Sequence, residues 1–165
     1  MKFNNLNSIE ILKKLDQIKV FMFDLEGVLI NDFEDVESVC SQLKEFCAAL
    51  AKANLLVGII TAREWDIITA RLNEINNCFV ITSSVSKEKM MDKKLNELGM
   101  GFHNLFYIGD DILDLPLLQK SEISCAPKNA KREVKRAVNI VLDEDESLNL
   151  LDTILQLRNE AVLTK

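Results

Sequence analysis

Short apolar runs rich in β-branched and aromatic residues recur along the chain, separated by segments with helical spacing of their apolar positions. The strong runs are Lys19–Asp24, Leu55–Thr61, Phe79–Thr82 and Leu105–Gly109, with weaker ones at Ile123–Ala126 and Ile140–Leu142. Helical patterns cover Asn7–Leu15, Val36–Ala53, Glu64–Ile75, Lys87–Leu98, Ile112–Gln119, Lys131–Ala137 and Ser147–Glu160. The longest places Val36, Val39, Leu43, Phe46, Cys47 and Leu50 on one face. Apolar strands alternating with helices predict a parallel sheet covered on both sides. The expected fold is therefore α/β, a three-layer Rossmann-like sandwich with a mainly parallel sheet and no large cap domain. The stripe Leu148, Leu151, Ile154, Leu155 and Leu157 on the last helix must be buried, either on the chain's own sheet or in a dimer contact. Monomer and homo-oligomer both stay open on that count.

Composition narrows the picture. The 165 residues suffice for one domain spanning 1–165. With 48% hydrophobic and 28% charged residues the chain reads as soluble and globular. A net charge of −6 excludes sequence-independent nucleic-acid binding, which needs a basic surface. There is no membrane-length apolar run and no signal-peptide pattern at Met1, so a cytoplasmic location is expected. Cys40, Cys47, Cys78 and Cys125 form no CxxC pair and read as packed, reduced thiols.

In open parallel sheets, ligands sit beyond the carboxyl ends of the strands. There the first run ends in Asp24, Glu26 and Gly27. The second ends at Thr61 with Arg63 two residues on, and the third leads through Ser83, Ser84 and Ser86 to Lys87. The fourth ends in Gly109, Asp110, Asp111 and, three residues later, Asp114. Singly, each has an ordinary explanation. Asp24 and Glu26 can be loop acids, Asp111 can cap the helix from Ile112, Asp114 suits a first helical turn, and Lys87 can be a surface lysine. Together they would crowd five carboxylates onto one rim, where like charges oppose each other's ionisation. A cation relieves that conflict, and oxygen-only ligands suit Mg²⁺. Thr61, Arg63 and Lys87 beside it suit a phosphate.

The ordered set FDLEGVL, IITAR, VSK and YIGDDILD resembles the haloacid dehalogenase (HAD) superfamily of phosphohydrolases. It is most similar to the small, cap-less members that act on 3-deoxy-D-manno-octulosonate 8-phosphate and related nonulosonate phosphates, over roughly residues 10–142. The resemblance implies Asp24 as the nucleophile that forms an aspartyl-phosphate. It implies Mg²⁺ held by Asp24, the backbone carbonyl of Glu26 and Asp110, with Asp111 or Asp114 supporting the ion or its waters. Thr61 and Lys87 would hold the phosphoryl group, and the residue two after the nucleophile would be the general acid and base. The implied partner is a small phosphorylated substrate.

Three features depart from that pattern. The acid/base position holds Glu26 where these relatives have Asp, and an extra methylene moves the carboxylate by about 1 Å. INDFEDVESVC has no glycine and runs directly into a helix, so the relatives' β-hairpin is expected to be reduced or missing, and with it the basis for their tetramer. DEDESLNLLDTILQL replaces their Gly-rich ending. The expectation is a Mg²⁺-dependent phosphomonoesterase acting on a small metabolite, a sugar-acid phosphate among the candidates. The alternative is a catalytically weak HAD-like protein that keeps Mg²⁺ and phosphate binding for a regulatory role. A phosphoacceptor receiver domain does not fit, because there the paired acids follow the first strand and the acceptor a later one, an order that GDDILD after the fourth run does not match.

Overall fold

The computed structural model describes residues 1–4, 6–30, 36–82 and 86–163. Seven strands alternate with eight helices among them. In chain order they are β1 (Lys2–Phe3), α1 (Ser8–Leu15), β2 (Val20–Asp24), α2 (Val36–Ala51), β3 (Leu56–Ile60), α3 (Ile67–Asn73), β4 (Cys78–Ile81) and α4 (Lys87–Glu97). There follow β5 (Leu105–Ile108), α5 (Leu115–Lys120), β6 (Ile123–Ala126), α6 (Arg132–Ala137), β7 (Ile140–Val141), α7 (Glu144–Leu148) and α8 (Leu150–Leu163). One sheet holds all seven strands in the order β1-β7-β6-β5-β2-β3-β4. Every pairing is parallel except β1 with β7.

The alternation of side chains along each strand explains the three layers. Phe21 and Phe23 of β2 face one side, where they join residues of α1, α2, α3 and α8. Val20 and Met22 face the other, with residues of α4, α5 and α6. Because both faces are covered, β2 is buried along its whole length. Phe21 meets the Phe46 and Phe106 rings at 6.4 and 5.2 Å, so truncating it to alanine would cost about 3–5 kcal/mol.

The elements follow the hydrophobic pattern, with local differences that have identifiable causes. β1 has no periodic signal; it exists because Lys2 and Phe3 pair with Val141 and Ile140. α3 starts at Ile67 rather than Glu64, because Asp66 caps it by accepting from the Thr69 N–H at 2.9 Å. The closing helix is broken at Asn149, and Asp143 and Glu146 form a reciprocal capping box that starts α7 early. The break turns Leu148 outward, to 72% exposure, while Leu151, Ile154 and Leu157 pack into the core beside α1 and α2. Four residues remain from the expected apolar stripe, and three of them are buried. Only five residues separate Ile30 from the start of α2, and no cap module is inserted among the described residues.

The parallel core strands β2 to β6 deliver the ends of β2, β3 and β5 side by side to one rim. β2 is central, flanked by β5 and β3 in register, so Asp24 lies opposite Ile60 and Phe23 opposite Ile108.

Candidate active site

Asp24 is the last residue of β2 and is only 4% exposed. Its Oδ1 accepts from the Leu25 N–H at 2.8 Å and from Lys87 Nζ at 2.7 Å. Its Oδ2 has no partner among the described residues. Burial, and then the charge of Asp114, push its carboxyl up to about 7 against the opposing pull of Lys87. Asp110 follows β5 and is likewise pushed up to about 6, by burial first and by Asp114 and Asp111 after it.

Asp114 organises this group. It is fully buried, and its carboxylate receives four donors. Oδ1 accepts from Lys87 Nζ at 2.7 Å and from the Tyr107 hydroxyl at 2.6 Å. Oδ2 accepts from the Asp110 and Asp111 N–H groups, each at 3.0 Å. The GDDILD turn is thus wrapped around its own last acid, and Lys87 is clamped between that acid and Asp24. Burial works against the Lys87 charge, but Asp24 and Asp114 outweigh it and hold the ammonium pKa above its ordinary value.

Two glycines permit this closeness. Gly27 has φ +78°, and a Cβ there would come 2.2 Å from Asp110 Oδ2. At Gly109 a Cβ would come 2.6 Å from the Asp114 side chain. Neither position accepts a side chain without displacing a carboxylate.

Glu26 takes a different course. Its Oε2 accepts from the Thr61 hydroxyl at 2.7 Å and its Oε1 from Arg63 Nε at 2.6 Å. Arg63 is held in turn by Asp66 at 2.7 Å, and its N–H donates to Thr61 Oγ1 at 3.0 Å. Burial would raise the Glu26 pKa, but the Thr61 and Arg63 hydrogen bonds more than offset it and hold the acid below the usual range. In this arrangement the Thr61 hydroxyl proton is spent on Glu26. Asp111 accepts from Leu113 N–H, as a cap does, and pairs with Lys131 at 2.5 Å.

The sequence-predicted residues therefore gather as two linked groups around a cavity of about 540 Å³ lined by Asp24, Glu26, Gly27, Ala62, Arg63, Lys87, Asp110, Asp111 and Leu113. Asp24, Asp110 and Asp114 each place a carboxylate oxygen within 4.8 Å of the others. Glu26, Thr61 and Arg63 form the second group, and Asp111 sits at the edge with Lys131. Ser83 and Ser84 lie outside the described residues. Tyr107 and Asp66 were not legible as site residues. Tyr107 reads as one more aromatic in a core strand, although a buried phenol always needs a partner. Asp66 reads as a helix cap, which it also is.

The donor set suits a hard divalent cation: oxygen only, crowded, and raised in pKa where its charges are uncompensated. The lysine beside it suits a phosphoryl group. A phosphate and a metal could thus share the mouth of this cavity, between Asp24, Asp110 and Lys87.

Comparisons with known proteins point the same way. Residues 66–151 match the family model for haloacid dehalogenase-like hydrolases. The KdsC 3-deoxy-D-manno-octulosonate 8-phosphate phosphatase of Haemophilus influenzae is 26% identical over 137 residues, covering 79% of this chain and 76% of that protein. Its Salmonella typhi counterpart is 25% identical over 132 residues, covering 74% and 69%. Among solved structures, the cobalt-bound Haemophilus influenzae phosphatase superposes with a TM-score of 0.73 at 25% identity, covering 90% of this chain and 93% of that one. A Moraxella catarrhalis phosphatase crystallised with magnesium, phosphate and KDO shares the fold with a TM-score of 0.74 at 20% identity, covering 94% and 95%. The family model spans more than half of the chain, including the helix that begins at Lys87 and the GDDILD turn at the centre of the site. By that match the chain belongs to the haloacid dehalogenase-like hydrolases.

Proposed function

We propose that this chain, as a single domain over residues 1–165, is a cytoplasmic Mg²⁺-dependent phosphomonoesterase that works through an aspartyl-phosphate on Asp24. The observation that carries the reading is the buried Lys87 bridging Asp24 and Asp114 at 2.7 Å each, beside Asp110 at the end of the central strands. Four uncrosslinked thiols, three of them buried, support a reducing compartment.

In this reading Asp24 and Asp110 hold the ion together with the Glu26 backbone carbonyl, and Asp114 holds Lys87 and the turn in place. The bound Mg²⁺ would supply charge neutralisation to the phosphoryl oxygens. The Asp24 carboxylate attacks phosphorus, and the ester P–O bond breaks as an aspartyl-phosphate forms. Lys87 stabilises the charge on the transferring group. Glu26 gives its proton to the departing alkoxide, then takes one from the water that attacks phosphorus, releasing phosphate and regenerating Asp24. Thr61 and Arg63 must let go of Glu26 for this cycle to run, and both then become free to donate to the substrate. The substrate is a small phosphorylated metabolite. The sugar-acid phosphates named for the relatives are the first class to screen.

A second reading has its own support. The ion pair that keeps Glu26 charged and turned toward Arg63 is what a protein that binds phosphate and Mg²⁺ without fast turnover would show. Steady-state hydrolysis of an aryl phosphate, with and without Mg²⁺, separates the two. Activity that needs both Mg²⁺ and Asp24, and is lost in Asp24→Asn, supports the phosphatase. Mg²⁺-dependent phosphate binding without turnover supports the second reading.

A further inference from the structure

Toward the β1 edge, the sheet carries a feature of opposite charge, which meets the catalytic rim only at one end, where Lys131, just before α6, pairs with Asp111. β1 is separated from β2 by β7, β6 and β5, about 19 Å at the usual strand spacing. Between β1, β7 and α6 lies a concavity of about 430 Å³ lined by Lys2, Asn4, Arg132, Lys135, Arg136 and Val141. Four of these six are cations and none is an acid, in a chain where 26 acids outnumber 20 bases. Among the described residues, none of the four forms an ion pair, whereas Arg63 and Arg71 both pair with carboxylates.

The arrangement is built into the fold. Arg132, Lys135 and Arg136 stand at i, i+3 and i+4 of α6 and so share one face. The same helix is anchored through Val134, which is fully buried. Asn4 ties β1 to its end, its Nδ2 donating to the Lys135 and Val138 carbonyls at 2.9 and 3.1 Å. The Lys135 ammonium is steadied by donating to the Lys128 carbonyl at 3.0 Å. The antiparallel pairing of β1 sets Lys2 opposite Val141 across the floor. Four like charges around one hollow oppose one another, as the acids do at the catalytic rim, and a counter-ion of several charges relieves them. Two guanidinium forks match the paired oxygens of phosphate or carboxylate groups, and two ammonium groups add point charge.

We infer that this concavity is a second binding site, distinct from the catalytic one, for a small soluble polyanion carrying two or more phosphate or carboxylate groups. Amide NMR of the 165-residue chain tests it, with tripolyphosphate as the phosphate probe and citrate as the carboxylate probe, at constant ionic strength. The site predicts saturable shifts at Lys2, Asn4 and residues 132–136 with at least one probe, and the tighter probe identifies the group recognised. In Arg132→Gln/Arg136→Gln the affinity at this edge should fall at least tenfold. Shifts at Asp110 and Asp111, where the phosphate probe also meets the catalytic site, should persist, and the rest of the spectrum should match the parent. No saturable shift at this edge with either probe, or equal affinity in the double variant, would overturn the inference.

Discussion

Replacing Asp114 tests how the site is organised, because the two obvious variants fail for different reasons. Asp114→Ala removes the acceptor of four donors and leaves a buried ammonium with only Asp24 as counter-charge. Removing one partner of a buried pair typically costs about 3–5 kcal/mol. For a chain of this size each kcal/mol lowers Tm by about 2–4 °C, so a fall of about 6–20 °C is expected. Asp114→Asn keeps the shape but cannot keep the bonds. With its oxygen toward Lys87 and Tyr107, its NH₂ confronts the Asp110 and Asp111 N–H groups. Flipped, its NH₂ confronts Lys87. Either orientation leaves two donors unmet, at about 1–3 kcal/mol each, so Tm should fall by at least about 4 °C. Asp111→Asn is the internal control: it is a neighbouring acid whose half-exposed pair with Lys131 is worth about 0–1 kcal/mol. Thermal unfolding of the three variants followed by circular dichroism is the assay. An Asp114→Asn protein that melts within about 1 °C of the parent would refute the claim that this carboxylate holds the turn and the lysine.

Further predictions concern the acid/base pair, the glycine and the metal. Glu26→Asp shortens the side chain so that it no longer reaches both Thr61 and Arg63. Hydrolysis of an alkyl phosphate, which needs the acid, should then rise about tenfold in kcat, and an aryl phosphate should change little. Equal change for both substrates would contradict this. Gly27→Ala drives a Cβ into Asp110, so Mg²⁺ affinity by titration calorimetry should fall more than tenfold; unchanged affinity would remove Asp110 from the metal site. In chelator, Asp24 and Asp110 have folded pKa values of about 7 and about 6, above the roughly 3.9 of an unfolded Asp. The folded state then holds the extra protons, so these groups make stability fall as pH rises from about 4 to 7. Tm in EDTA should be lower at pH 7 than at pH 5, and saturating Mg²⁺ should narrow the difference. A Tm in EDTA that rises over that interval would contradict the crowding of the acids.

The parts of this account that sequence makes legible are those set by local pattern. Apolar runs gave β2 to β7, because strands covered on both faces must be continuously apolar. The rule that parallel strands end at one rim brought Asp24, Thr61, Lys87 and Asp110 together from four separate stretches. What stayed hidden depends on partners distant in sequence. β1 is two residues long and exists only through β7. The break at Asn149 reflects competition between a strong capping box at Asp143 and the apolar stripe of α8. The choice of Glu26 to bind Thr61 and Arg63, 35 and 37 positions away, is a matter of side-chain reach that no spacing rule encodes. Tyr107 became visible as part of the site only when its hydroxyl was seen on Asp114.

The central claim is that Asp24 is phosphorylated during turnover. Rapid acid quench of the enzyme with substrate and Mg²⁺, followed by borohydride reduction and peptide mass spectrometry, reads this directly. The account predicts conversion of Asp24 to homoserine, dependent on both substrate and Mg²⁺. Turnover that proceeds with Asp24 unmodified, or that survives in Asp24→Asn, would contradict it.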